Sequence, residues 1–192
     1  MKIFERFIFL WGKPKIILIT GEGSQTCKES ILRVLSPHFK IGKEILIFEA
    51  GEKETKELKL LAKKASLFIL VAASFSKERA ETEKIRNLNM SLKPRNYLIL
   101  NFDDEAAREI KTNVNSNTLT FGQRQGADFM ATDVKLNGGT NFKINYEGNT
   151  VPVWLEGLVD KENIYAALAA TAVATILELN LVEISQSLSV TN

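Results

Sequence analysis

Residues Thr20-Gly21-Glu22-Gly23-Ser24-Gln25-Thr26 set two glycines among hydroxyl residues, directly after the apolar run KIILIT (15–20) and before a helical pattern. A loop of this kind suits phosphate chemistry. Its glycines let the backbone approach an anion, the following helix aims its amides at it, and a hydroxyl holds a divalent cation. On that reading Gly21, Gly23, Ser24, Gln25 and Thr26 are candidate phosphate-binding residues, and Thr26 is a candidate Mg²⁺ ligand. Two residues oppose it. Gln25 stands where a lysine should neutralise phosphate oxygens, and Glu22 places a negative charge beside the anion. An ordinary strand-to-helix turn, with Ser24 or Thr26 capping the helix, accounts for the same residues. Lys28 lies one turn into the helix, and spacing alone does not say whether it reaches back.

The elements that must position this loop follow from apolar patterning. KIILIT (15–20), EILIFEA (44–50), SLFILVAA (66–73) and NYLILN (96–101) are continuous apolar runs of strand length, as expected of parallel strands buried on both faces. Between them lie helical patterns over 26–36 (Ile31, Leu32 and Leu35 inward), 54–65 (Leu58, Leu61 and Ala62 inward) and the charge-rich 77–92. Strand alternating with helix predicts a P-loop-type α/β fold, mostly parallel, with helices on both faces. After Asp104 the texture changes. A short helix (DEAAREI) leads to a meander over about 117–156, where alternating segments are separated by turns at Gly138-Gly139 and Gly148-Asn149. An alanine-rich helix with Ile164, Leu168, Val173 and Ile176 near one face, then a second short helix, complete the chain over about 160–188.

The bulk numbers narrow the class. With 192 residues the chain fits one domain, and 45% hydrophobic against 25% charged residues is ordinary for a globular protein. A net charge of +2 without a clustered basic stripe argues against a nucleic-acid partner. A single cysteine, Cys27, excludes an intramolecular disulfide framework and fits a reducing, cytoplasmic setting. The segment 1–12 reads as an amphipathic helix with Phe4, Phe7, Ile8 and Trp11 on one face. Docking on the core is the simpler expectation; peripheral membrane contact by residues 1–15, flanked by Lys2, Arg6, Lys13 and Lys15, is the sharper one.

The ordered set KPKIILITG, IFEAGE, LILNFDD, LTFG…GADF and ENIYAALAATAVA resembles the central, ATP-binding domain of the Mur ligases over about Lys13–Leu188. The likeness is nearest to members that add D-alanyl-D-alanine to a UDP-muramoyl tripeptide. It implies ATP and Mg²⁺ as cofactors, and an ATP-dependent amide ligation in peptidoglycan precursor synthesis that proceeds through an acyl phosphate. It places Glu49 on a metal-binding glutamate and Asn163 on the asparagine of a His-Asn pair near the adenine, with Glu162 at the histidine position. Asn101, Asp103 and Asp104 match an Asn-x-Asp-Asp element, for which a strand-end turn with helix capping is an equal reading.

Departures from the family pattern concern chemistry. The loop lysine is replaced by Gln25, or by Ser24 if Lys28-Glu29 sets the register. No histidine follows the third strand, and the single histidine, His38, is expected on an exposed loop. The position that relatives carbamylate falls on Arg86 or Asn87, with Lys84 on another side of the helix. The flanking domains of the family are expected to be lacking, with residues 13–192 forming the central domain. These features lead to the expectation of a degenerate, non-catalytic module with no catalytic residue, acting by binding or scaffolding. Its partners would be other Mur-ligase domains or cell-wall enzymes in trans. The alternatives are the ATP-binding subunit of a split ligase, and a nucleotide sensor without turnover.

Overall fold

Strands β1 (Lys15–Thr20), β2 (Ile45–Glu49), β3 (Leu67–Ala72) and β4 (Tyr97–Asn101) fall on the four apolar runs. The computed structural model describes residues 13–50, 55–74, 95–111, 117–136, 138–156 and 160–189. Helices α1 (Ser24–Leu35), α2 (Thr55–Lys64) and α3 (Glu105–Lys111) follow β1, β2 and β4 in turn. Strands β5 (Asn117–Gly122), β6 (Phe129–Leu136), β7 (Gly139–Tyr146) and β8 (Asn149–Glu156) and helices α4 (Lys161–Ile176) and α5 (Leu181–Ser189) complete the order. The expected segment 1–12, the helix over 77–92 and the positions Lys84, Arg86 and Asn87 lie outside the described residues.

All eight strands join one sheet in the order β2-β1-β3-β4-β5-β6-β7-β8. Pairing is parallel from β2 through β6 and antiparallel across β6-β7-β8. The meander therefore begins at β6, not at residue 117, because Asn117–Gly122 pairs parallel with both neighbours. The β7–β8 turn uses two residues with positive φ, Glu147 (48°) and Gly148 (78°), which matches the twist of a tight hairpin.

Alternate residues of the parallel strands feed two cores. Ile17, Ile19, Ile69, Val71 and Ile99 pack under α1, α4 and α5, while Ile16, Leu18, Phe68, Leu70, Leu98 and Leu100 pack under α2 and α3. This two-sided burial is why the strands read as unbroken apolar runs rather than alternating ones. In α2, Leu61 and Ala62 are buried as expected, and the side chain of Leu58 lies outside the described residues. In α1 the buried set is Cys27, Ile31, Val34 and Leu35; Leu32 is only half-buried, so the inward face is rotated towards Cys27 and Val34. Desolvation pushes the Cys27 thiol up to about 12, which keeps it protonated and unreactive at neutral pH.

Ile164, Leu168 and Val173 of α4 are buried and Ile176 packs against the core, but burial is not confined to one face. Every residue from Ala166 to Ala174 is buried, because the helix lies between the sheet, α1 and α5, and its alanines permit close approach on all sides. α4 ends at Ile176. Glu178 then takes φ of 69°, and Asn180 and Glu183 exchange bonds in a capping box that starts α5. α5 covers the free edge of β8. Ser189 Oγ accepts from Trp154 N at 3.2 Å, and Ser185 Oγ donates to Pro152 O, in an edge strand where proline has no amide to pair. Among the described residues no helix is long and apolar enough to cross a membrane.

Candidate functional site

β1 sits between β2 and β3, with α1 on one face and α2 on the other, so the chain reverses winding at the carboxyl ends of β1 and β3. Open α/β sheets form their ligand crevice at such a switch point. Here that point is the loop after Thr20, facing Ala73 and Ser74. Gly21 has φ of 97°, and a Cβ there would lie 1.9 Å from the Ser74 carbonyl oxygen. Gly23 (φ 80°) is the N-cap of α1, and a Cβ there would meet Glu162 Cγ at 3.0 Å. Neighbouring protein groups thus already demand both glycines.

Neither hydroxyl caps α1, which corrects the simpler reading of the loop; both are spent on distant partners. Ser24 Oγ donates to Glu49 Oε2 at 3.1 Å, and Thr26 Oγ1 donates to Glu162 Oε1. Lys28 does reach back: its Nζ lies 2.8 Å from Glu49 Oε1, with the two side chains 25% and 23% exposed. The Lys28 ammonium holds the Glu49 carboxyl below the usual carboxylate range, against the opposing effect of desolvation and with help from Ser24.

The fold therefore gathers Ser24, Thr26, Glu49, Lys28 and Glu162 around the first turns of α1. The side chains of Gln25 and Asn163 turn to their own helices: Gln25 Nε2 donates to Glu29 Oε1 at 2.8 Å, and Asn163 Nδ2 donates to the α4 N-cap Asp160 at 2.9 Å. Lys28 and Glu162 were not among the candidate binding residues, although Glu162 stands at the histidine position of the His-Asn pair. The first had a signal, since it stands four residues after Ser24 on the same helix face. His38 is in the exposed turn after α1, as expected.

The Asn-x-Asp-Asp element behaves as a strand-end clamp. Asn101 Nδ2 donates to Ala73 O at 3.1 Å, tying β4 to β3, and Asp104 accepts from Ala106 N at the start of α3. Asp103 accepts from Tyr165 OH at 2.6 Å and from the amides of Gln123 and Arg124 at 2.9 and 2.8 Å. Burial favours the protonated form of Asp103, but those three donors and the Lys161 charge together lower its pKa; burial, then Asp103, raises that of Tyr165. Gly122 makes room for this carboxylate, which would stand 2.7 Å from a Cβ there.

Between the loop, β3, β4 and α4 lies a cavity of about 170 Å³. Gly23, Ser74, Phe121 and Tyr165 line it together with Glu22 and Glu162, and among the described residues none that lines it is basic. As arranged, the described residues of the site do not fit a divalent cation. Both oxygens of Glu49 are engaged by Lys28 and Ser24, the Thr26 hydroxyl is given to Glu162, and an ammonium already stands beside Glu49. Among the described residues no group of three or more His, Cys, Asp or Glu could hold a metal ion.

The profile of the Mur ligase middle domain matches residues 18–174. The chain is 29% identical over 162 residues to the UDP-N-acetylmuramate–L-alanine ligase of Hydrogenobaculum sp. (strain Y04AAS1), covering 78% of this chain and 34% of that protein. It is 34% identical over 77 residues to the UDP-N-acetylmuramoyl-L-alanyl-D-glutamate–2,6-diaminopimelate ligase of Bacillus cereus, covering 40% of this chain and 16% of that one. Among solved structures, MurF from Acinetobacter baumannii superposes with a TM-score of 0.77 at 18% identity, over 98% of this chain and 49% of that one. MurF of Thermotoga maritima in complex with ADP superposes with a TM-score of 0.75 at 17% identity, over 96% and 50%. At such identities the structural likeness shows the fold. The chain spans about a third or less of the length of the curated relatives it matches.

Proposed function

The chain belongs to the Mur ligase middle-domain family, and from that premise we propose that it keeps the nucleotide-domain scaffold without carrying out ATP-dependent ligation. It acts as a binding or scaffolding module beside peptidoglycan precursor ligases, with other Mur-ligase domains or cell-wall enzymes as partners in trans. One observation carries this reading. The carboxylate that would hold the metal, Glu49, is closed by Lys28 and Ser24, beside a loop that has no lysine at its phosphate position.

Phosphoryl transfer relies almost wholly on positioned cations that offset charge on the transferred group. Losing one oriented electrostatic donor costs about 10²–10³-fold in rate. Here the loop lysine is replaced and Glu49 is committed to a side chain, so the deficits compound. Lys28 cannot serve as a substitute phosphate cation while its charge is matched by Glu49.

The test is phosphate release from Mg²⁺-ATP by the purified chain, with UDP-muramoyl peptides and amino substrates supplied. The expected result is release no faster than background. Turnover near the rate of an intact ligase assayed alongside would overturn the proposal.

A further inference from the structure

The α1 N-terminus is shaped for an anion. Gly21 and Gly23 bring the backbone round in left-handed conformations, and the helix dipole and first-turn donors favour negative charge there. A negative group is already present. Glu162 projects from the first turn of α4, its side chain packs on Gly23, and its Oε1 accepts from Thr26 Oγ1 in the first turn of α1. Glu162 also lines the cavity, next to Gly23. It also stands at the start of its own helix, whose N-cap is Asp160, so two helix N-termini converge on one carboxylate.

We propose that Glu162 is an internal anion that occupies the phosphate position of the loop and determines what the cradle admits. The inference rests on the proposed non-ligating reading, and it names the side chain that keeps a phosphate-bearing ligand out. The chemistry is direct substitution. A carboxylate fixed to Thr26 takes the hydroxyl and the favourable helix-end potential that a phosphate oxygen would use, and it repels a second anion at the same place. Glu22 adds charge at the rim, but no bond ties it to the α1 hydroxyls, and in this account it is the lesser obstacle. With Lys28 on Glu49 and Glu162 on Thr26, the cradle supplies its own cation and its own anion.

Glu162 is exposed, and Glu162→Gln keeps its size while removing the charge. The probe is inorganic pyrophosphate in metal-free buffer at low salt, measured by calorimetry on the full chain, with circular dichroism confirming that each variant is folded. A like charge within about 4 Å is worth about 1 kcal/mol or more, so E162Q should bind pyrophosphate at least about fivefold more tightly than wild type. E22Q should gain clearly less. No binding by folded E162Q at millimolar pyrophosphate, or an equal gain in E22Q, would overturn the proposal. The first result would show that the helix end does not take phosphate; the second would show that net charge, not the Thr26-anchored carboxylate, sets the exclusion. Because this readout is a ratio between variants without metal or turnover, it stands or falls separately from the absence of Mg²⁺-ATP hydrolysis.

Discussion

Severing the Lys28–Glu49 pair gives the most detailed test of the site as built. The two groups meet at 2.8 Å and are about one-quarter exposed, which puts them between two well-characterised limits. Exposed ion pairs couple by about 0–1 kcal/mol, and hydrogen bonds to charged groups out of water by about 1.5–3 kcal/mol. A double-mutant cycle of Lys28→Met and Glu49→Gln, read by urea denaturation at pH 7, should therefore give a coupling of about 1–2 kcal/mol. Ser24 continues to donate to Glu49 when Lys28 is removed, which holds the value at the lower end. The pH dependence has a definite sign. Glu49 titrates lower in the folded than in the unfolded chain, so its contribution is complete above its ordinary value of about 4.5 and disappears as pH falls through the lower folded value. Repeating the cycle well below pH 4 should bring the coupling towards zero. A coupling under about 0.3 kcal/mol at pH 7, or one that persists in acid, would refute the claim that this pair occupies the metal-side carboxylate.

Other sites give sharper yes-or-no outcomes. Gly21→Ala forces a Cβ to within 1.9 Å of the Ser74 carbonyl oxygen at a φ of 97°, and should cost at least about 2 kcal/mol and lower Tm by several degrees in a thermal melt. A change below about 0.5 kcal/mol would show that the switch-point loop is not packed as described. Tyr165→Phe removes the donor to Asp103 and should cost about 1.5–3 kcal/mol, while the Asp103 carboxyl, followed by NMR titration, rises towards its ordinary range. An unmoved Asp103 titration would assign its lowering to the Gln123 and Arg124 amides and the Lys161 charge.

Much of the architecture was legible because the physics that builds it is local. KIILIT and LFILVA are strand-length, unbroken and apolar, and only two-sided burial makes that arrangement stable, so β1 and β3 were placed from sequence to within a residue. The residues expected inward on α4 do reach the core, but its burial on all sides was not legible, because periodicity assumes that one side meets water and alanine-mediated packing encloses this helix. The start of the antiparallel region was also misplaced. NTLTFG carries no mark of strand direction, which β4 and β6 decide through pairing.

The site was harder to read for a related reason. Gly21 and Gly23 announce a loop, but the same glycines serve phosphate approach or a close carbonyl and carboxylate neighbour, and only the positions of Ser74 and Glu162 separate the two. Thr26 and Glu162 are 136 residues apart and Lys28 and Glu49 are 21 apart, so no spacing rule could pair them. Ser24 and Thr26 have good capping chemistry, yet the cap went unused because each hydroxyl found a carboxylate brought in by another element.

The central claim is that this scaffold retains the form of a nucleotide domain while its own side chains occupy the places of metal and phosphate. Calorimetric titration of the wild-type chain with ATP, in parallel with and without Mg²⁺, tests it most directly. The expected result is no saturable heat at millimolar ATP and no difference between the two titrations. Saturable binding that requires Mg²⁺ would contradict it, since the ion would then have displaced Lys28 from Glu49 and a phosphate would have displaced Glu162 from Thr26.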